Sequence, residues 1–207
     1  MKKNTALKKH IALKRHPALK KNVRSAPVTL QPVALEAPGA WHLARSETER
    51  RLSDFEFGLE RLAQAYYRWK AACLSAVCSS VPLTGDDVAV LNVVRMGDEP
   101  KRLSEIGQLL NRVDVPNLQY ATRKLARVGL IENYSNSSRK EARYRTTEAG
   151  RAVTEAYAAL RAATLPPMLE ALDDWAGKSE TTSSQLDLMS SLYAQASQIA
   201  ITRRHQP

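Results

Sequence analysis

Residues 103–131 read LSEIGQLLNRVDVPNLQYATRKLARVGLI, and this stretch decides the fold. A short helix is predicted over 104–110. After a polar turn, Asp114 is placed to cap a second helix. That helix turns Leu118, Ala121, Leu125 and Val128 to one side, at spacings of three and four. Gly129 stands where a helix ends in a left-handed residue. Residues 130–134 then read as a short strand, and residues 142–146 as a second, on either side of the polar loop 135–141. Two helices joined by a turn, followed by a strand hairpin, form a winged helix–turn–helix.

Further helices flank this unit. Upstream, Thr84 with Asp87 caps a helix that runs to Met96 and stops at Gly97. Before that, Ser53 and Glu56 form a capping box for a long helix. Its expected buried stripe is Phe55, Leu59, Leu62, Tyr66, Trp69, Cys73 and Val77. Downstream, Thr147-Glu148 opens an Ala-rich helix to about 164, which Pro166-Pro167 should break. Residues 168–176 and 184–202 also read as helical. The expected fold is mainly α with a small β wing.

The chain has 207 residues and a net charge of +10, and the charge is unevenly placed. Nine Lys/Arg and no acid occupy residues 1–24, where a six-residue repeat carries Lys8-Lys9, Lys14-Arg15 and Lys20-Lys21. Six fits no helical period and Pro17 interrupts it, so the tail reads as disordered. Pro27, Pro32, Pro38 and Gly39 mark a linker. Residues 95–145 hold eleven Lys/Arg against six acids, and the rest of the body is acidic. A basic tail and one basic segment point to a polyanion partner.

Other classes find little support. The two longest charge-free runs, 71–85 and 188–202, have 15 residues each, short of the roughly 18 needed to span a membrane. The basic N-terminus has no apolar segment behind it, so no secretion signal is read and a cytoplasmic location is expected. The eight glycines form no phosphate-binding loop. The four histidines have no metal spacing, and no nucleophile elbow is present. No enzyme, metal or cofactor is expected. Cys73 and Cys78 sit about 140° apart on a helix with no adjacent cation, which favours ordinary packing over redox sensing.

Several stretches together resemble the MarR family of bacterial transcription regulators. They are Leu83-Thr84 with Val88-Ala89-Val90-Leu91, Leu103-Ser104-Glu105-Ile106, and the run from Arg123-Lys124-Leu125 to Gly129-Leu130-Ile131. Arg139-Lys140 and Arg145-Thr146-Thr147-Glu148-Ala149-Gly150 resemble the family's wing and its step into the next helix. Leu52-Ser53-Asp54-Phe55-Glu56 with Arg68-Trp69 is similar to one subgroup. The resemblance spans residues 52–165. Ser138 stands where the family usually has Asp, and Thr146 where it has Leu.

The resemblance implies a homodimer on an inverted-repeat operator in double-stranded DNA, released by a small aromatic carboxylate or phenolic effector. The subgroup suggests control of aromatic or nicotinate-type catabolism. The implied organisation is a basic tail and linker over 1–39, a dimerisation and ligand helix over 40–80, the DNA-binding domain over 81–150, and C-terminal dimerisation helices over 151–207. Leu186, Leu188, Met189, Leu192, Tyr193 and Ile199 are expected to bury against the second copy.

With its apolar side in the core, the helix after Asp114 should turn Asn117, Gln119, Tyr120, Arg123 and Lys124 outward. Amide side chains suit adenine edges, and Arg and Lys suit guanine or phosphate. Arg139 and Lys140 at the wing tip suit a narrow minor groove. The plain alternatives are a solvated helix face and a charged hairpin. Trp41, His42, Arg45, Tyr66 and Trp69 offer stacking and charge for an aromatic acid, with core and interface packing as the alternative. A competing class is a non-specific nucleic-acid-binding or architectural protein that uses its Lys-rich tail. A winged helix serving only as a protein-interaction module is another.

The tail supplies the first prediction. Each phosphate it neutralises adds about 0.9 to the slope of log affinity against log salt. Deleting residues 1–24 is expected to flatten that slope by several units and leave the protected DNA site unchanged. An unaltered slope would make the tail a solubilising segment.

Overall fold

Ser46 starts the first helix, and it does so through a capping box. The Glu49 N–H donates to Ser46 Oγ at 3.3 Å, and the Ser46 N–H donates to Glu49 Oε2 at 2.9 Å. In this computed structural model, which describes residues 42–79, 82–134, 142–172 and 174–203, the helix is α1, Glu47–Val77. The sequence holds two Ser-x-x-Glu boxes in succession, and the earlier one is used. Ser53, expected to be the cap, lies inside α1, buried, with its hydroxyl donating to Glu49 O at 2.9 Å. Acid–base pairs carry the helix across the second box. Arg50 bridges Glu47 and Asp54, and Arg51 also meets Glu47. These contacts hold the Glu47 carboxyl down at about 2, the hydrogen bond from Arg50 being the main cause.

Thr84 and Asp87 form the expected box at the start of α2, Gly85–Arg95. Gly97, at φ 71°, turns the chain out of the following 3-10 turn. A two-residue strand, β1, Lys101–Arg102, leads into α3, Leu103–Leu109. Then come α4, Val115–Arg127, β2, Ile131–Asn133, and β3, Arg143–Thr146. The sheet order is β1-β3-β2, all antiparallel, with Ile131 opposite Thr146 and Lys101 opposite Tyr144. β1 was not expected, since two residues carry no alternation pattern.

One apolar cluster holds these elements together. Leu74 of α1, Val88 and Leu91 of α2, Ile106 of α3, Leu118 and Leu125 of α4, Leu130 and Ile131 at the strand, and Val153 of the next helix are all buried. On α4, Leu118, Ala121 and Leu125 go into the core as read, and Val128 is half-buried. Thr122 is also fully buried, its hydroxyl satisfied by Leu118 O at 3.0 Å. Gly129, at φ 76°, ends the helix. The stripe expected on α1 is buried only at its end: Cys73 and Val77 are in the core, Trp69 is half-buried, and Phe55, Leu59, Leu62 and Tyr66 are exposed.

The last helices differ from the sequence reading. α5 runs from Glu148 to Glu170 and passes through Pro166 and Pro167 rather than stopping before them. The two prolines forfeit backbone bonds to the carbonyls of Ala162 and Ala163, which lie on an exposed stretch where water can take their place. Asp174, at φ 57°, lies next to the start of α6, Trp175–Arg203. The chain divides into two compact units, the first ending at Arg161 and the second starting at Ala162. Within the second unit no residue of α6 is buried, and Leu186, Leu188, Leu192 and Ile199 are exposed. No helix among the described residues is long and apolar enough to cross a membrane.

Gly150 marks the tightest approach in the first unit. A Cβ there would lie 1.9 Å from the Leu130 carbonyl oxygen. The same oxygen accepts the Thr147 N–H at 3.1 Å, so it cannot easily withdraw. Helix propensity alone favours Ala over Gly by about 1 kcal/mol. The clash reverses that sign, and Gly150→Ala is expected to destabilise by about 1–3 kcal/mol in chemical denaturation. Equal or greater stability would show that this approach is slack.

Candidate nucleic-acid interface

Burial of Leu118, Ala121, Thr122 and Leu125 leaves the opposite side of α4 to solvent. Asn117, Gln119, Tyr120 and Arg123 are exposed there, Tyr120 at 65%. Arg123 Nε donates to Gln119 O at 3.0 Å, which lays the guanidinium along the helix surface. Lys124, expected beside it, does not face outward. Its ammonium lies 2.6 Å from Asp87 Oδ2 of α2, and only 19% of the side chain is accessible.

The start of α4 is anchored by charge. Asp114 takes the N-cap position, but its side chain makes no bond to the helix backbone. Instead the carboxylate accepts Arg112 Nε at 2.9 Å and a terminal guanidinium nitrogen of Arg112 at 2.6 Å, together with Asn117 Nδ2 at 3.0 Å. The Arg112 fork holds the Asp114 carboxyl well below the usual carboxylate range. A further arm of Arg112 reaches Asp86 at 3.3 Å, which ties the turn to α2.

Beside the exposed face of α4 lies a cleft of about 620 Å³, lined by Arg102, Leu103, Ser104, Gln119, Arg123, Ala142 and Tyr144. It gathers two arginines, an amide and two hydroxyls from α4, β1, the start of α3 and β3. Arg102, Ser104 and Tyr144 escaped the sequence reading, because β1, which sets them beside α4, has no pattern of its own. On β3, Arg145 pairs with Glu132 at 2.6 Å and lies 4.3 Å over the Tyr134 ring. The wing-tip residues Arg139 and Lys140 lie outside the described residues.

Among the described residues, those expected to hold an effector do not converge within one chain. Trp41 lies outside the described residues. His42 and Arg45 are exposed ahead of α1, roughly 30 Å of helix away from Tyr66 at 1.5 Å per residue. Tyr66 stacks on Trp69 at 6.3 Å, and Trp69 meets Tyr157 of α5 at 6.3 Å. Lys70 escaped the sequence reading: it is buried, with its ammonium 4.4 and 4.2 Å from the ring centroids of Tyr66 and Tyr67. Burial lowers its basicity. Cys73 and Cys78 are both buried, and burial pushes the Cys73 thiol up, away from the reactive thiolate. Among the described residues no group of His, Cys, Asp or Glu is gathered to hold a metal.

Residues 83–150 match the family model of the winged helix DNA-binding domain. The fold is similar to that of a MarR family transcription regulator, at 18% identity, with a TM-score of 0.57 over 71% of this chain and 93% of that one. It is similar to a cysteine-to-serine mutant of E. coli MarR complexed with operator DNA, at 19% identity, with a TM-score of 0.56 over 68% of this chain and 99% of that one. It is also similar to S. aureus MepR in a complex with DNA, at 15% identity, with a TM-score of 0.56 over 67% and 97% of the two chains. No curated protein matches the chain. The matched residues hold the helices and the three-stranded sheet of a winged helix. The fold of the chain is similar to that of these proteins, as the sequence resemblance implies.

The Asp114 anchor has a pH signature. A carboxyl with a lowered folded pKa contributes stability above its unfolded value, and loses it as pH falls toward the folded one. Asp114→Asn is expected to lower the thermal midpoint at pH 7, with the deficit shrinking as pH falls below the ordinary value of 3.8. A deficit that is the same at pH 7 and pH 3 would remove the Arg112 contact as its cause.

Proposed function

We propose that this chain is a cytoplasmic, homodimeric transcription regulator, a repressor, that reads an inverted-repeat operator with α4. The observation that carries the proposal is the exposed row of Gln119, Tyr120 and Arg123 on α4, beside a cleft that adds Arg102. Amide and guanidinium groups on a major-groove helix suit base edges, and the flanking arginine suits phosphate. Arg139 and Lys140 of the wing are assigned to the adjacent minor groove. The domain plan follows the sequence: a basic tail and linker over 1–39, a ligand and dimer helix over 40–80, the reading domain over 81–150, and dimer helices over 151–207.

The dimer is supported by apolar side chains without cover. Leu186, Leu188, Leu192 and Ile199 on α6 are exposed, and so are Leu52, Phe55 and Leu62 on α1. Such faces are what a partner helix buries. Met189 and Tyr193 join them in the proposed interface. Release follows binding of an aromatic carboxylate or phenol at Tyr66 and Trp69, with Trp41, His42 and Arg45 contributed across the dimer, and the regulated genes serve aromatic or nicotinate-type catabolism. Lys70 strengthens this reading, since it sets a buried cation beside stacked rings. The ligand acts by favouring a spacing of the two α4 helices that no longer fits the DNA.

The test is selection from a random duplex pool by the full-length protein, followed by binding of the enriched sequence. One inverted repeat is expected to emerge. Arg123→Ala is then expected to weaken its binding by about 1–3 kcal/mol and to relax preference at one base position. Equal affinity for every duplex would instead assign the chain to the non-specific class, driven by its tail.

A further inference from the structure

Lys124 is held differently from the rest of α4. Its ammonium meets Asp87 at 2.6 Å, and the Asp87 side chain is only 4% accessible. Asp87 is itself fixed, because the same Oδ2 accepts the Thr84 N–H at 2.8 Å and the Thr84 hydroxyl at 3.0 Å. The carboxylate that caps α2 therefore also grips α4, 37 residues further along the chain. The neighbouring Asp86 receives Arg112, which clasps Asp114 at the start of α4. Two consecutive acids at the start of α2 thus hold α4 at two points, Asp114 and Lys124. These points are ten residues apart, or roughly 15 Å of helix at 1.5 Å per residue.

We infer that Lys124 and Asp87 form a positioning pair that sets the angle at which α4 is presented to DNA, and that Lys124 itself touches neither base nor phosphate. This rests on the operator-binding reading above. The apolar contacts of Leu118 and Leu125 fix how deep α4 sits, but such contacts are non-directional and let a helix roll. A short charge-assisted bond to an immobile carboxylate is directional. With its inner end bound to Asp87, the Lys124 ammonium is withdrawn from the exposed row formed by Tyr120 and Arg123.

The test uses the full-length protein on its selected operator, with affinity measured across a salt series for wild type, Lys124→Gln, Asp87→Asn and the double variant. Both single variants are expected to lose tenfold or more in affinity with no change in salt slope. The double variant should lose no more than the worse single one. Asp87→Asn is the discriminating case. Removing a negative charge raises affinity for DNA by simple electrostatics, whereas loss of positioning lowers it.

A Lys124→Gln slope reduced by about 0.9, with Asp87→Asn binding as well as wild type or better, would overturn the proposal in favour of direct phosphate contact. Variants that unfold at lower temperature yet bind at full strength below that temperature would also overturn it, leaving a merely structural pair. Where a single variant fails to fold, the double variant, which strands no charge, carries the same expectation of lost affinity at constant slope. Wild-type protein that prefers no duplex would instead refute the operator reading, and the positioning role with it.

Discussion

The burial of one side of α4 is the constraint on which the rest of the molecule depends. Leu118, Ala121, Thr122 and Leu125 enter a core already shared by α2, α3, the strands and α5. A helix committed on one side has its other side assigned by geometry, at 100° per residue. Gln119, Tyr120 and Arg123 are therefore exposed because Leu118, Ala121 and Leu125 are not. The exposed row follows from packing, and the ion pairs of Asp114 with Arg112 and of Lys124 with Asp87 hold the helix at two further points.

Much of this was legible in the sequence, for identifiable reasons. The Thr84–Asp87 box, the left-handed Gly97 and Gly129, and the three-and-four spacing on α4 are local signals, and each governs the structure where it occurs. The failures arose where a local signal had a competitor or none existed. Two capping boxes, at Ser46 and Ser53, compete for one helix start, and the acid–base pairs of Arg50 and Arg51 let the helix begin at the earlier one. Pro166-Pro167 reads as a stop, but the freed carbonyls are exposed, so the helix continues. β1 is too short to show any alternation, and with it went the contribution of Arg102 and Tyr144 to the cleft.

Lys124 shows how such reading can misplace a side chain. It sits 100° from both Arg123 and Leu125, on the border between the exposed and buried sides. Spacing alone places it with its neighbour Arg123. Its long apolar stem lets the charge travel to either side, and the partner that decides the matter is 37 residues away. Lys70 escapes the reading for a related reason: a lysine four and three residues after Tyr66 and Tyr67 reads as a surface charge until packing buries it. The apolar stripe of α1 was expected to be buried, yet Phe55, Leu59 and Leu62 are exposed, as are Leu186, Leu188, Leu192 and Ile199 of α6. In the proposed dimer a second copy covers them.

The central claim is that two copies of α4 enter the major groove of one operator. Hydroxyl-radical footprinting of the full-length protein on its selected duplex tests this most directly. The account predicts two protected patches related by a two-fold axis, centred about one helical turn, roughly 34 Å, apart on one face of the DNA. A single patch, or protection spread evenly along the duplex, would contradict it.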